Sequence, residues 1–198
     1  MPPKKMISDE DIVQAAFELV RKKGLGNLTA RNIAGVLSCS TQPVYYSFRN
    51  IKDIETAVIS RIKDFVVETY LNNDEGNHQF FNIGKGYIRL ARYDRELFSI
   101  LFLSGRMKLD IEKENFPIAN EAMIELMKKD SYLKGFEEFQ LSRILKTMWF
   151  YTHGLATFVY TYPGQVSDDF LDNAVFEMGG RVIRSERVEA KRKKSEGI

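Results

Sequence analysis

The stretch from Leu28 to Phe48 constrains this chain more than any other. Leu28-Thr29-Ala30-Arg31-Asn32-Ile33-Ala34 and Ser40-Thr41-Gln42-Pro43-Val44-Tyr45-Tyr46-Ser47-Phe48 each have room for only a short helix, with Ser38-Cys39 as a tight turn between them. Thr29 stands where an N-cap hydroxyl is needed, Ser40 is placed to cap the second helix, and Pro43 falls in its first turn, where a missing N–H costs nothing. Two short helices about such a turn form a helix-turn-helix, whose second helix fits the major groove of DNA.

The rest of the chain reads as helix, with no run of alternating strand residues. Helix 1 begins at Ser8, with Asp11 in capping-box position. Ile12, Ala16, Leu19 and Val20 make its apolar face, and Gly24 stops it. Helix 4 starts at Asn50, with Asp53 in box position, and carries Ile51, Ile54, Val58, Ile62 and Phe65 toward Leu71. Asn72 to Asn77 breaks the pattern. Helices are then expected at 77–93, 94–104, 116–130 and 137–160, and Ser167-Asp168-Asp169 caps a last one that runs into a basic tail. The expected fold is all-α, with about nine helices in two parts. Residues 1–52 form a helix-turn-helix domain, helix 4 (50–71) connects, and 53–198 form a second, helical domain.

Charge supports this division. Residues 1–52 hold eight Lys/Arg against four Asp/Glu, residues 53–180 fourteen against twenty, and residues 181–198 seven against three. A basic leading segment beside an acidic body suits a chain that presents one end to phosphates. The basic tail fits either a solvated helix end or a nucleic-acid contact. Cys39 is the single cysteine, so no internal disulfide forms and a reducing, cytoplasmic setting is expected. No signal-like segment or membrane span is read from the sequence, and no membrane partner is expected.

Within the helix-turn-helix, Ala34 is the small residue at the helix crossing, and Val44 and Phe48 point inward. Ser40, Thr41, Gln42, Tyr45 and Tyr46 are left outward. Gln42 is the candidate base reader, because a carboxamide can pair with N6 and N7 of adenine. Thr41 suits a thymine methyl group or a phosphate. The tyrosine hydroxyls reach phosphates if their rings are not used to pack helices 3 and 4. Arg31, Arg49 and Lys52 are the neighbouring cations.

Residues 7–55 resemble the N-terminal domain of the TetR family of transcriptional regulators. The matches are Ile12, Ala15, Ala16, Phe17, Gly24, Leu28, Thr29, Ile33, Ala34, Ser40, Tyr45 and Phe48. The resemblance implies phosphate contacts from Thr29, Tyr45 and Arg49. It departs from the family at Ser38-Cys39, which replace Gly-Val in the turn, and at Gln42-Pro43, which replace Gly-Thr. Ile51 also stands where lysine is common, with Lys52 one residue later. Lys4 and Lys5 form either an arm to flanking phosphates or an uninvolved terminus.

The resemblance further implies a homodimer on a pseudo-palindromic operator in double-stranded DNA, and release by a small, largely apolar effector. Two heads related by a dyad read half-sites about 34–36 Å apart or a multiple of that. For the interface the residues offered are Trp149, His153 and Gly154 of one helix, and Leu171, Ala174, Val175, Met178 and Val182 of the last, stripes that a monomer's own core could also absorb. For an effector cavity they are Tyr87, Phe98, Phe102, Met107, Met123, Met127, Phe150 and Tyr151, all of which also suit plain core. Enzyme motifs are missing from the sequence: His78 and His153 belong to no metal or nucleophile pattern, so no catalytic residue, metal or cofactor is expected. The alternatives are a DNA-binding regulator whose body binds a protein instead of a small molecule, or an activator.

Overall fold

The computed structural model describes residues 7–72, 78–106 and 120–196. Among these, nine α-helices and no strand are found: α1 (Asp9–Lys23), α2 (Ala30–Val36), α3 (Gln42–Ser47), α4 (Ile51–Val66), α5 (Gln79–Tyr93), α6 (Arg95–Phe98), α7 (Asn120–Lys128), α8 (Glu138–Thr161) and α9 (Asp168–Glu196). The all-α expectation holds. Two helices end in π turns, Val67–Leu71 after α4 and Ser99–Leu103 after α6. The helix expected at 94–104 is therefore one α turn followed by a wider one. Of the helix expected at 116–130, residues 116–119 with Pro117 lie outside the described residues.

The described residues divide into two compact units, one within Met1–Phe65 and Glu96–Met107, the other within Val66–Arg95 and Lys108–Ile198. The first unit thus includes most of α4 and also takes residues from the segment after Arg95. In that unit α1 buries Ile12, Ala16, Leu19 and Val20 as its periodicity requires. Ser8 Oγ accepts from the Asp11 N–H at 3.1 Å while Asp11 Oδ2 accepts from the Ser8 N–H at 3.0 Å, closing the capping box. Helix α4 buries Ile54, Val58 and Ile62, but Ile51 is exposed, since it sits in the first turn before the stripe reaches the core.

The second unit is organised around α5, which packs against α7, α8 and α9. Asp130 lies fully buried after α7 and accepts from the N–H groups of Phe80 and Tyr132, each at 2.8 Å. His78 at the N-cap of α5 makes no side-chain cap bond, so this carboxylate, fifty residues away, satisfies the first turn. Gly86 permits the closest approach: a Cβ there would fall 1.6 Å from the carbonyl oxygen of Tyr70 in the first π turn.

Arg143 of α8 pairs with Glu186 and, at 3.2 Å, with Glu189 of α9. Arg92 and Tyr93 of α5 both hold Asp168 at the start of α9. Asp168 is thus engaged by side chains as well as by the helix dipole. Among the described residues no helix is long and apolar enough to cross a membrane, and no cluster of three metal-ligating side chains occurs.

Candidate nucleic-acid interface

The turn between α2 and α3 is a complete Schellman motif built on a serine. Ser38 holds a left-handed φ of 52°. The Cys39 N–H donates to the Ala34 carbonyl at 3.0 Å, and the Ser38 N–H to the Gly35 carbonyl at 3.3 Å. Glycine is the usual residue here, because a Cβ raises the energy of this conformation. Thr29 is the N-cap of α2, accepting from the Asn32 N–H at 3.2 Å. Ile33, Ala34 and Val44 are buried and hold the two helices together, whereas Phe48 is only half-buried.

Ser40 is not the cap of α3. The helix begins one residue later, with Thr41 at the N-cap in α-helical backbone geometry and no bond from its hydroxyl to the helix. Pro43 in the first turn already supplies the required φ, which reduces the need for a side-chain cap. Thr29, Arg31, Ser40, Thr41, Gln42, Tyr45, Tyr46, Arg49 and Lys52 are all exposed. The tyrosine rings do not pack between α3 and α4: Tyr45 is 60% and Tyr46 80% accessible. Gln42 Nε2 donates to the Tyr46 hydroxyl at 2.9 Å, one turn along the same face. That bond uses one of the two amide hydrogens and leaves the other, with Oε1, for the adenine edge. The pairing of Gln42 with Tyr46 follows from i, i+4 spacing. Asn50 caps α4 by accepting from the N–H groups of Lys52 and Asp53 at 2.9 and 3.1 Å. Lys4 and Lys5 lie outside the described residues.

The residues proposed for an effector cavity are shared between the two units. Phe98 and Phe102 belong to the first unit, their ring centroids 5.4 Å apart. Tyr87, Met123 and Met127 are buried in the second. Phe150 is exposed on α8 and Tyr151 lines an outer groove, so neither is core; Met107 lies outside the described residues.

The interface candidates divide by helix face. Leu171 and Val175 are buried inside the chain, and the Val175 methyl lies 2.9 Å from where a Gly84 Cβ would be. They are therefore internal core and not available to a partner. Gly179 likewise faces Phe81 of α5. Ala174, Met178 and Val182 are half-buried, and Gly154 is exposed. With Phe150 and Phe158 of α8 and Phe170 of α9 they leave an outer face rich in apolar groups, including a groove of about 370 Å³ lined by Tyr151, Phe170, Ala174 and Met178 together with Asn173, Glu177 and Arg181.

Trp149 and His153 are held by the chain's own contacts. Their rings stack at 5.0 Å, and His153 Nδ1 lies 2.8 Å from the Tyr87 hydroxyl. Burial pushes the Tyr87 hydroxyl well above its usual range, so it stays protonated beside Nδ1, while burial holds His153 below its ordinary value.

No family model matches this sequence, and no curated protein matches it. Solved structures do match over nearly the whole chain. A TetR-family transcriptional regulator from Streptomyces coelicolor is 12% identical, covers 90% of this chain and 87% of its own, and superposes with a TM-score of 0.60. SmeT, the repressor of the Stenotrophomonas maltophilia multidrug efflux pump SmeDEF, is 15% identical over 87% of this chain and 88% of its own, with a TM-score of 0.52. AibR, solved with isovaleryl coenzyme A and operator DNA, is 14% identical over 87% of this chain and 96% of its own, with a TM-score of 0.50. The chain has the fold of the TetR-family transcriptional regulators.

Proposed function

We propose that the protein is a sequence-specific DNA-binding transcriptional regulator, acting as a homodimeric repressor that a small molecule releases. The observation that carries this reading is α3. Its side chains Gln42, Tyr45 and Tyr46 are exposed, directly after Thr41, with Arg31, Arg49 and Lys52 also exposed on the neighbouring segments. A helix that contributes one buried side chain to its own unit, and directs amide and phenol groups outward, has the composition of a recognition helix. Thr29, Tyr45 and Arg49 take phosphate, and Gln42 reads a base.

The homodimer is supported by the apolar outer face of α8 and α9. Exposed Gly154 lies between Phe150 and Phe158 on one α8 stripe, and Ala174 and Met178 follow Phe170 on α9. Small residues at such positions let a second copy's helices approach closely, and covering the phenylalanines supplies the driving force. The effector must bind the DNA-incompetent arrangement more tightly, with a coupling of about 1–3 kcal/mol.

Selection of bound duplexes from a random pool tests the reading, with sedimentation of the free protein. A pseudo-palindromic motif and a dimer at micromolar concentration are expected. A monomer that ignores duplex DNA at low salt overturns it.

A further inference from the structure

A second cleft lies in the second unit, and none of the residues assigned above lines it. The π turn Val67–Leu71 and the outer stripe of α5 enclose a cleft of about 100 Å³, walled by Thr69, Tyr70, Asn82, Lys85, Arg89 and Tyr93. Its geometry is built in three ways. The π turn widens the backbone, and such turns recur at functional sites. Gly86 forms the base, where any Cβ would collide with the Tyr70 carbonyl. The Tyr70 hydroxyl donates to buried Asp94 at 2.6 Å, which fixes that wall.

The charge of the cleft selects its occupant. Lys85 Nζ and Arg89 Nη2 converge on one oxygen of Asp172, at 3.1 and 3.4 Å. Two cations there face one carboxylate, Asp172, while the other carboxylate at the wall, Asp94, is engaged by the Tyr70 hydroxyl. That balance suits a monoanion and not a dianionic phosphate. Asp172 itself shows that a carboxylate oxygen fits between the two cations, and the guanidinium fork has donors beyond the one it directs there. The phenol rings of Tyr70 and Tyr93 offer an apolar end to the cleft. Its volume is far below the roughly 300–1,000 Å³ of pockets for drug-sized ligands.

We propose that this cleft binds a small carboxylic acid as its carboxylate, held by Arg89 and Lys85 with its short tail against Tyr70 and Tyr93. The incoming carboxylate competes with Asp172 and so acts on the contact between α5 and α9. The site stands apart from the DNA-binding reading, and its test needs no DNA.

Thermal denaturation of the full chain is followed with sodium propionate as probe, ionic strength being held constant with sodium chloride. A saturable rise in Tm is expected. Arg89→Met weakens the apparent affinity at least about tenfold, whereas Asp172→Asn removes the competitor and tightens it about tenfold. A purely structural role for these residues does not produce opposite signs. The proposal is overturned if propionate gives no saturable shift with either the wild type or Asp172→Asn. An equal shift in Arg89→Met also overturns it, as does phosphate acting as strongly as propionate.

Discussion

Of the six residues in α3 only Val44 is buried, whereas ten of the fifteen in α5 are. Both are short amphipathic segments, yet they use their side chains for opposite ends. Helix α5 places Phe80, Phe81, Tyr87, Ile88 and Leu90 inside its own unit, and takes its N-terminal hydrogen bonding from Asp130. Helix α3 is held by Val44 and by backbone bonds at the turn, and the outward polar groups add little to folding. Side chains that the fold does not require are the ones available to a partner. Substitutions in α5 should therefore cost stability, and those at the outward positions of α3 should cost binding while the unfolding free energy stays within about 0.5 kcal/mol of wild type.

The largest effect expected is on the α5 side. Gly86→Ala forces a methyl group into the Tyr70 carbonyl and should destabilise the chain by about 3 kcal/mol, lowering Tm by roughly 6–12 °C in calorimetry. An unchanged melt would mean that α5 and the π turn are not in contact in solution.

On the α3 side, Gln42→Ala should relax preference at one base pair of each half-site by about 1–3 kcal/mol, while Arg49→Ala weakens all sequences alike. Binding selection measures the first, and titrations on specific and random duplexes the second. Tyr46→Phe sharpens the comparison further. It keeps the ring but removes the hydroxyl that holds Gln42, so part of the Gln42→Ala relaxation should appear with an unchanged salt slope. An unaltered motif in both variants removes Gln42 as the base reader.

Ser38→Gly comes next and has the opposite sign. Releasing a non-glycine residue from φ 52° is worth about 1–2 kcal/mol, and the greater freedom of glycine in the unfolded chain returns part of it. A net gain of about 0.5–1 kcal/mol in denaturant unfolding is expected.

The smallest effect is a pH dependence. Burial holds His153 below its usual range, so the unfolded chain takes up its proton first as the medium is acidified. Stability should fall as pH drops below about 6.5 and level off once the folded-state pKa is passed. His153→Gln should flatten that part of the profile, and an identical slope in the variant would assign it to other groups.

Much of the first unit was legible because its signals are local. Ser8 with Asp11, Thr29 and Asn50 act as caps where their sequence positions put them. The departure at Ser38 was also visible, and it marks the residue with positive φ. The start of α3 lies one residue beyond where Ser40 would cap it, because Ser40 and Thr41 are equivalent cap chemistries and Pro43 lowers the need for either. In the second unit the apolar stripe of α9 is divided between two faces. Leu171 and Val175 serve the chain's own core, while Phe170 and Ala174 stand on the outer face. Periodicity names a face without naming what covers it.

Spacing of three and four, cap residues and helix-stopping glycines act within a turn or two, so this sequence determined its helices and the exposed amide and phenol groups of α3 unaided. Only the tertiary structure decided that Asp130 caps a helix fifty residues away, that Gly86 admits the Tyr70 carbonyl, and that Lys85 and Arg89 share Asp172. Those contacts join groups far apart along the chain. Which of them meet depends on how whole helices pack, a choice that no local pattern of residues contains.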